Sequence, residues 1–462
     1  MPDDPAKCPF TPPYPTPLKK KAGLLKQLFY GMDGWTHTLF ERSYTMKMGE
    51  RWMPSGKNFT INELSLARRI MEDEAKEYPK HRVLNELVVP LIGNSVFNTN
   101  GKVWEAQRQM INPAFQHTNL KRAFPMMMDA VSDLMAMIAA GLSDQPFDID
   151  PMMTHVTADI IIRTLFSVPL SREDSERIYT SFNRYQKLAQ RSTMLQQFRL
   201  PNFGYRRAAV KESRNIHAVF EPIMRRRYDA HQAGEDGHNT DIMSALMDAR
   251  HPENGEPFSF QDLIDQVSLI FLAGHETSAT SLSWTLYLLA ECPDLQEKLL
   301  GEIDAITGGE TINFEHVRLL DGVRNLFKEG LRLYPPIAFF PREATKPEVM
   351  REKKIRIGDI LTISPFFIQR NSNNWPCPHS FDPDRFTDPD QAEAVRNAWL
   401  PFGRGPRLCI GAGFAQQEAV LILANIIRSY RLAYPNNAKK PEMVGRLTIR
   451  PKHGIPLILT PR

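Results

Sequence analysis

Along most of the chain, apolar residues return every three to four positions, the period of a helix with one buried face. That period predicts helices over residues 62–77, 119–140, 152–166, 174–197, 207–233, 240–248, 259–291 and 294–306, and another beginning just after Cys409. Short strand-like pieces over 93–98, 354–363 and 447–459, set among turn residues, predict small peripheral sheets. The expected fold class is mostly α with minor β. Past the N-terminal segment no linker, repeat or low-complexity stretch divides the chain, so one domain is expected over 56–462, preceded over 1–55 by an arm and a short helix. Seven prolines in the first 17 residues predict the extended arm. The stretch LKKKAGLLKQLFYG predicts the helix, basic and amphipathic, whose lysines suit either a solvated face or a membrane surface.

The longest periodic stretch starts at Ser259, with Asp262 three positions on as in a capping box, and Cys292-Pro293 stops it. A rod of about 30 residues, roughly 45 Å, must cross the core. Its centre reads FLAGHETSAT, small and polar where a purely structural core helix carries Leu and Val. A polar break in a buried helix has a chemical cause.

With 462 residues, 42% of them hydrophobic, the chain buries a large core. Its net charge of +4, from 57 basic and 53 acidic residues mixed along the sequence, leaves no extended basic face and excludes a nucleic-acid partner. Four cysteines, far apart and without CxxC spacing, predict a reducing compartment and no disulfide. No secretory segment opens the chain and no apolar run reaches the roughly 18 to 20 residues of a membrane span, so a cytoplasmic protein without a transmembrane anchor is expected.

One cysteine stands apart. In PFGRGPRLCIG, Cys409 sits at a predicted helix N-terminus, where unpaired amides and the positive dipole end favour thiolate. Gly403, Gly405 and Gly411 allow tight turns and close approach, and Pro406 stiffens the loop. Taken alone, a buried cysteine is usually a small hydrophobe. Zinc lacks a second ligand at suitable spacing, and a cysteine protease needs a histidine partner that the sequence leaves open. A single thiolate also serves as axial ligand of haem iron, with nearby arginines to neutralise the propionates.

Phe402, Gly405, Arg407, Cys409 and Gly411 together resemble the cysteine-loop motif of the cytochrome P450 family. Three more stretches occur in that family's order: Ala273-Gly274-His275-Glu276-Thr277 resembles its oxygen-activating helix centre, Glu329-Gly330-Leu331-Arg332 its ExxR pair, and Pro383-Asp384-Arg385-Phe386 its meander motif. Trp104 and Arg108 fit its WxxxR element, so the resemblance runs from about residue 60 to the end. It implies haem b held between the long helix and the cysteine loop, with Cys409 as axial thiolate and O₂ as co-substrate. It also implies that Arg385 joins Glu329 and Arg332, which lie one turn apart, in a buried structural network. Trp104, Arg108, Arg342 and Arg407 are the implied propionate partners. Ala273, Gly274, Phe402 and Gly411 are the remaining haem contacts.

Glu276 and Thr277 match the family's acid-alcohol pair for proton delivery, and Thr277 is placed to bond the carbonyl of Ala273. His275 reads as a helix-surface residue. Val96, Phe97, Phe271, Ala273, Ile337, Ala338 and Phe339 are the implied apolar substrate pocket, although each also reads as plain core. The methionines at 126–128, 135, 137, 152 and 153 read as flexible core filler. The implied activity is a monooxygenase that hydroxylates an apolar small molecule such as a fatty acid, alkane or terpenoid. A haem-thiolate gas or ligand sensor and a peroxide-driven peroxygenase are the alternatives, and an intact proton relay argues against both. No nucleotide-binding fingerprint follows Cys409, so electrons are expected in trans from a ferredoxin and ferredoxin reductase, with Arg404, Lys121 and Arg122 as a basic docking face.

Overall fold

The computed structural model describes residues 10–143, 145–235 and 241–462. Cys8, the first nine residues of the Pro-rich arm and Thr240 lie outside the described residues. The long central helix runs Phe260–Ala290 and starts on a reciprocal cap: Ser259 Oγ accepts from the Asp262 amide, and Asp262 accepts from the Ser259 amide. It packs on the helices Asp150–Phe166, Asp321–Leu333 and Ala412–Ser429, which surround it in the core. Its buried hydroxyls bond back into its own ladder, Ser281 to Thr277 O, Ser283 to Ala279 O and Thr285 to Ser281 O, at 2.7 to 3.0 Å. Satisfied in this way, polar residues cost little at the centre of a core.

A four-stranded sheet flanks the helices in the spatial order Met48–Met53, Gly56–Ile61, Ile360–Ile363, Phe340–Glu343, with only the middle pair parallel. The expected strand over 354–363 is two, Lys353–Ile355 and Ile360–Ile363, parted by Gly358 at φ +82°. That over 447–459 divides likewise into Ile449–Pro451 and Pro456–Pro461 around Gly454, where a Cβ would lie 2.0 Å from the Asp148 carboxylate. Residues 93–98 form no strand. They form a loop held by side chains of the central helix: the Asn94 amide donates to Asp265 at 2.7 Å, and the Val96 amide to Gln266 at 3.0 Å. The expected helix over 62–77 is shorter, an α-turn over Leu64–Arg68 widening to a π-turn over Arg69–Asp73. Helices Val83–Ile92 and Gly101–Ile111 and the hairpin Met48–Ile61 carry no clean period and were not foreseen.

Cys377 is disulfide-bonded, which corrects the expectation of none; among the described residues Cys292 and Cys409 are free. Spacing along a sequence says nothing of approach in space, and here the arm folds over the segment that carries Cys377. The Phe381 amide donates to Phe10 O at 2.7 Å, Tyr14 stacks on His379 at 4.2 Å, and Tyr334 donates to Pro13 O at 2.6 Å. Helix His117–Gly141 is long and apolar enough to cross a membrane, but Phe124, Met127, Val131, Leu134 and Ile138 are spent on the core.

Candidate functional site

A cavity of about 530 Å³ lies between the middle of the central helix and the cysteine loop. The loop is shaped by Gly403 and Gly405 at φ +75° and +69°; at Gly405 a Cβ would come 2.1 Å from Met71 O. The Cys409 amide donates to Phe402 O at 2.9 Å, and Gly411 caps the helix Ala412–Ser429. Cys409 is exposed and lines the cavity. Burial pushes its thiol pKa up, while the Gly411 amide, Arg108 and Lys80 pull it down. The helix terminus alone therefore does not yield the expected thiolate; a coordinated metal would.

Four cations gather at the same cavity. Arg342 is 4% exposed, its side chain among the described residues donates only to its neighbour Pro341 O, and burial lowers its pKa to about 10. Arg407 donates to Thr99 O at 2.9 Å and Asn100 Oδ1 at 3.0 Å, stacks 3.9 Å over Trp104, and is lowered to about 9. Arg108 and Lys80 complete the set, Lys80 donating to Phe97 O and lying over the Phe97 ring. Burial drives Lys80 well below the ordinary lysine range. Among the described residues none of the four has a carboxylate partner in ion-pair range, though buried cations are ordinarily paired. One sulfur, four unpaired cations and apolar walls fit a flat, apolar, dianionic metal macrocycle, which is what haem is. Lys80 was missed because nothing in EYPKHRV marks a lysine as buried.

The acid and the alcohol are differently engaged. Thr277 Oγ1 donates to Ala273 O at 2.7 Å on the cavity wall. Both oxygens of Glu276 are taken: one accepts from Thr448 Oγ1 at 2.6 Å and Gln186 Nε2 at 3.0 Å, the other from Arg450 at 3.0 Å. Arg450 also pairs with Asp150 at 3.0 Å, so the cluster ties the central helix to strand Ile449–Pro451 and helix Asp150–Phe166. Burial raises the Glu276 pKa against the pull of Arg450 and Thr448. Gly274 lets two helices close: a Cβ there would lie 2.9 Å from Ile161.

Two expectations are corrected on this helix. His275 is buried rather than on the surface, its Nδ1 2.9 Å from Phe271 O and its ring stacked on Phe271 at 4.6 Å; burial lowers its pKa to about 4. Phe271 is off the cavity wall, packed on His275 and, at 5.5 Å, on Phe220. Positions 271 and 273 are two apart, about 200° around the axis, so Ala273 and Phe271 face opposite ways. Val96, Phe97, Ala273, Ile337, Ala338 and Phe339 do line the cavity.

Glu329, Arg332 and Arg385 meet in the core, each at most 1% exposed. Arg332 holds Glu329 through bonds of 2.7 and 2.8 Å and donates to the carbonyls of Gln369, Pro378 and Ser380; Arg385 reaches Glu329 at 3.1 Å. Phe402 packs on Trp399 at 5.8 Å. Of the presumed docking cations, Arg404 pairs with Glu72 at 2.9 Å and Lys121 with Glu315 at 3.3 Å. Sequence reading also missed Glu418, fully buried with both oxygens lacking a hydrogen bond of normal geometry and Ser278 as nearby hydroxyl; burial raises it to about 8.

A family model described as Cytochrome P450 matches residues 12–458. Cyclooctatin synthase of Streptomyces melanosporofaciens is 30% identical over 388 residues, 83% of this chain and 82% of that protein. Taurochenodeoxycholic 6 alpha-hydroxylase of Sus scrofa is 30% identical over 403 residues, 83% and 79% of the two chains. The crystal structure of the cytochrome P450DA heme domain superposes with a TM-score of 0.80 at 23% identity, covering 98% of each chain.

Proposed function

The chain belongs to the cytochrome P450 family and is a monooxygenase that uses thiolate-ligated haem b and O₂, and we propose that it hydroxylates a mid-sized apolar molecule held above Cys409. The observation that carries the site assignment is a set of four cations without a carboxylate partner among the described residues, Arg342 buried and Lys80, Arg108 and Arg407 half-buried, at the same apolar-walled cavity as a single thiol. Cys409 would supply the thiolate to the iron, and Lys80, Arg108, Arg342 and Arg407, with Trp104 beneath Arg407, would hold the propionates. Bound haem supplies the redox chemistry that reduces O₂ and oxidises a C–H bond.

The chain's own residues do the rest. Ala273, Ile337, Ala338 and Phe339 present apolar surface that orients substrate and excludes water. Thr277 holds a hydroxyl proton at the cavity wall, parked on Ala273 O and free to turn inward. Glu276 acts on Thr277 as a positioning residue while Arg450 holds it, and delivers a proton only when that bond opens. The Glu329–Arg332–Arg385 cluster fixes the meander beside the cysteine loop. A ferredoxin with its reductase supplies two electrons, in the cytoplasm; fatty acids, alkanes and terpenoids are the substrate classes that fit the walls.

The test is the ferrous-carbonyl Soret band of the purified, haem-loaded protein. A red-shifted band that disappears in Cys409→Ser is expected, together with apolar compounds that shift the ferric spin state. A band unchanged in Cys409→Ser overturns the assignment.

A further inference from the structure

We infer that the substrate carries a carboxylate, which Arg51 and Thr193 hold at one end of the cavity while the apolar remainder of the molecule extends toward the thiol; this rests on the cavity being the substrate site. The charges that line the cavity do not balance. Lys80, Arg108, Arg342 and Arg407 are assigned to the haem carboxylates. The two acids are already answered inside the protein, Glu276 by Arg450 at 3.0 Å and Glu50 by Lys57 at 2.6 Å. Three cations remain, Lys21, Arg51 and Arg446, and among the described residues none of them has a carboxylate in ion-pair range. Lys21 spends Nζ on Glu50 O at 2.9 Å and Arg446 spends Nε on Asp33 O at 3.0 Å. Arg51 donates from Nε to Gln27 Oε1 at 2.6 Å, but its Nη2 is buried without a hydrogen-bond partner. Burial lowers its pKa to about 10. A buried donor on a charged group is costly when idle, and an anion that reaches it recovers that cost.

A second idle group lies at the same corner. Thr193 is 5% exposed and lines the cavity, and its Oγ1 has no partner. A helical threonine commonly returns its proton to the carbonyl four residues back, as Thr277 does to Ala273 at 2.7 Å; Thr193 does not. Helix Leu24–Asp33 brings the two groups to one place. Gln27 binds Arg51 on the strand Met48–Met53, and one turn later Gly31 O accepts from Gln190 at 2.6 Å, one turn before Thr193 on the helix Arg172–Gln197. The Ser55 amide of the hairpin closes the corner by donating to Gln197 O at 3.1 Å. No element of this corner belongs to the cysteine loop. Elsewhere the wall is apolar, with Leu87, Val88, Phe182 and Phe339 among its residues. A guanidinium N–H and a hydroxyl, both donors, match the two acceptor oxygens of a carboxylate, whereas a hydrocarbon leaves both idle. The oxidised carbon is then remote from the acid group.

The experiment is a spin-state titration of the haem-loaded full chain with dodecanoic and hexadecanoic acids and with their methyl esters, at about pH 8 so that the acids are ionised. Each pair shares its apolar chain and differs in charge. Expected is an advantage of about tenfold for acid over ester in wild type. Arg51→Gln should bring that ratio close to one, Arg51→Lys should keep part of it, and Thr193→Val, which keeps the shape, should lower it less. The ratio is read on variants whose ferrous-carbonyl band matches wild type, and where one variant fails to load haem the other decides. Acid and ester that bind wild type equally overturn the proposal and leave the substrate-site reading standing. So does a ratio that survives in both Arg51→Gln and Thr193→Val. A spin state that no acid, ester or other apolar compound shifts removes the substrate-site reading itself, and the carboxylate with it.

Discussion

Removing one carboxylate from the core should cost the protein its haem. In Glu329→Ala, Arg332 loses bonds of 2.7 and 2.8 Å, Arg385 loses one of 3.1 Å, and the Asp382 amide loses one of 3.0 Å. Arg332 keeps three carbonyl acceptors and Arg385 keeps Gln391, so the larger loss is charge balance: two buried guanidiniums are left with Asp382, 4.0 Å from Arg385 and half-exposed, as their remaining acid. Stranding a buried charge costs about 3–5 kcal/mol, and a domain's whole margin is about 5–15 kcal/mol. Outside its own helix the lost bonds run to residues 382 and 385, so the meander should loosen first and take the adjoining cysteine loop with it. Glu329→Gln keeps the shape and an acceptor oxygen but not the charge, and should fall between. Haem content after purification and the midpoint of thermal unfolding measure the ranking: wild type highest, Gln lower, Ala lowest and largely haem-free. A fully loaded Glu329→Ala with an unchanged midpoint would refute the reasoning.

Thr277→Ala should bind substrate as before, seen as an unchanged spin-state shift, but divert electrons to peroxide or water; unchanged coupling of electron use to product removes Thr277 from the relay. Glu418, with its pKa raised to about 8, keeps its proton in the fold while the unfolded chain ionises from about 4.5 upward, so stability falls as pH rises between those values. Glu418→Gln removes that slope, and urea unfolding at both ends of the window, with the same slope in wild type and variant, would count against a buried neutral acid. Phe271→Ala should destabilise by about 3–5 kcal/mol without changing which ligands shift the spin state, whereas Ala338→Phe should change the ligand panel at little cost in stability. The reverse result would put Phe271 on the cavity wall.

What the sequence disclosed here was whatever local spacing controls. Glu329 and Arg332 at i,i+3 announce a shared helix face, the glycines around Cys409 announce a tight loop, and Ser259 with Asp262 announces a cap. The same arithmetic, applied to positions 271 and 273, separates them, and taking both for pocket residues ignored it. Contacts made across the fold left no local trace. Lys80 and Glu418 look like surface residues in sequence, His275 reads as exposed because its neighbours are polar, and the disulfide at Cys377 joins segments that no local spacing pairs. The hairpin Met48–Ile61 reads MGERWM and GKNFTI, with glycine and polar residues at positions where a one-sided sheet ordinarily alternates in apolar ones, so the alternation that would have marked it is missing.

The buried charges also sort by function in a way that neither sequence nor burial alone conveys. Glu329 with Arg332 and Arg385, and Glu276 with Arg450 and Asp150, are closed sets in which every charge meets its opposite inside the protein. Closed sets cost desolvation on folding and return positional order: one holds the meander, the other ties three elements around the central helix. Lys80, Arg108, Arg342 and Arg407 form an open set, in which burial lowers every pKa and, among the described residues, no carboxylate comes within ion-pair range. An open set destabilises the empty chain and rewards whatever anion completes it. On the proposed assignment, the energy that haem binding would gain from its carboxylates is stored beforehand as unpaired cations, whereas the closed sets would contribute by keeping the sulfur and these cations at fixed places across the cavity.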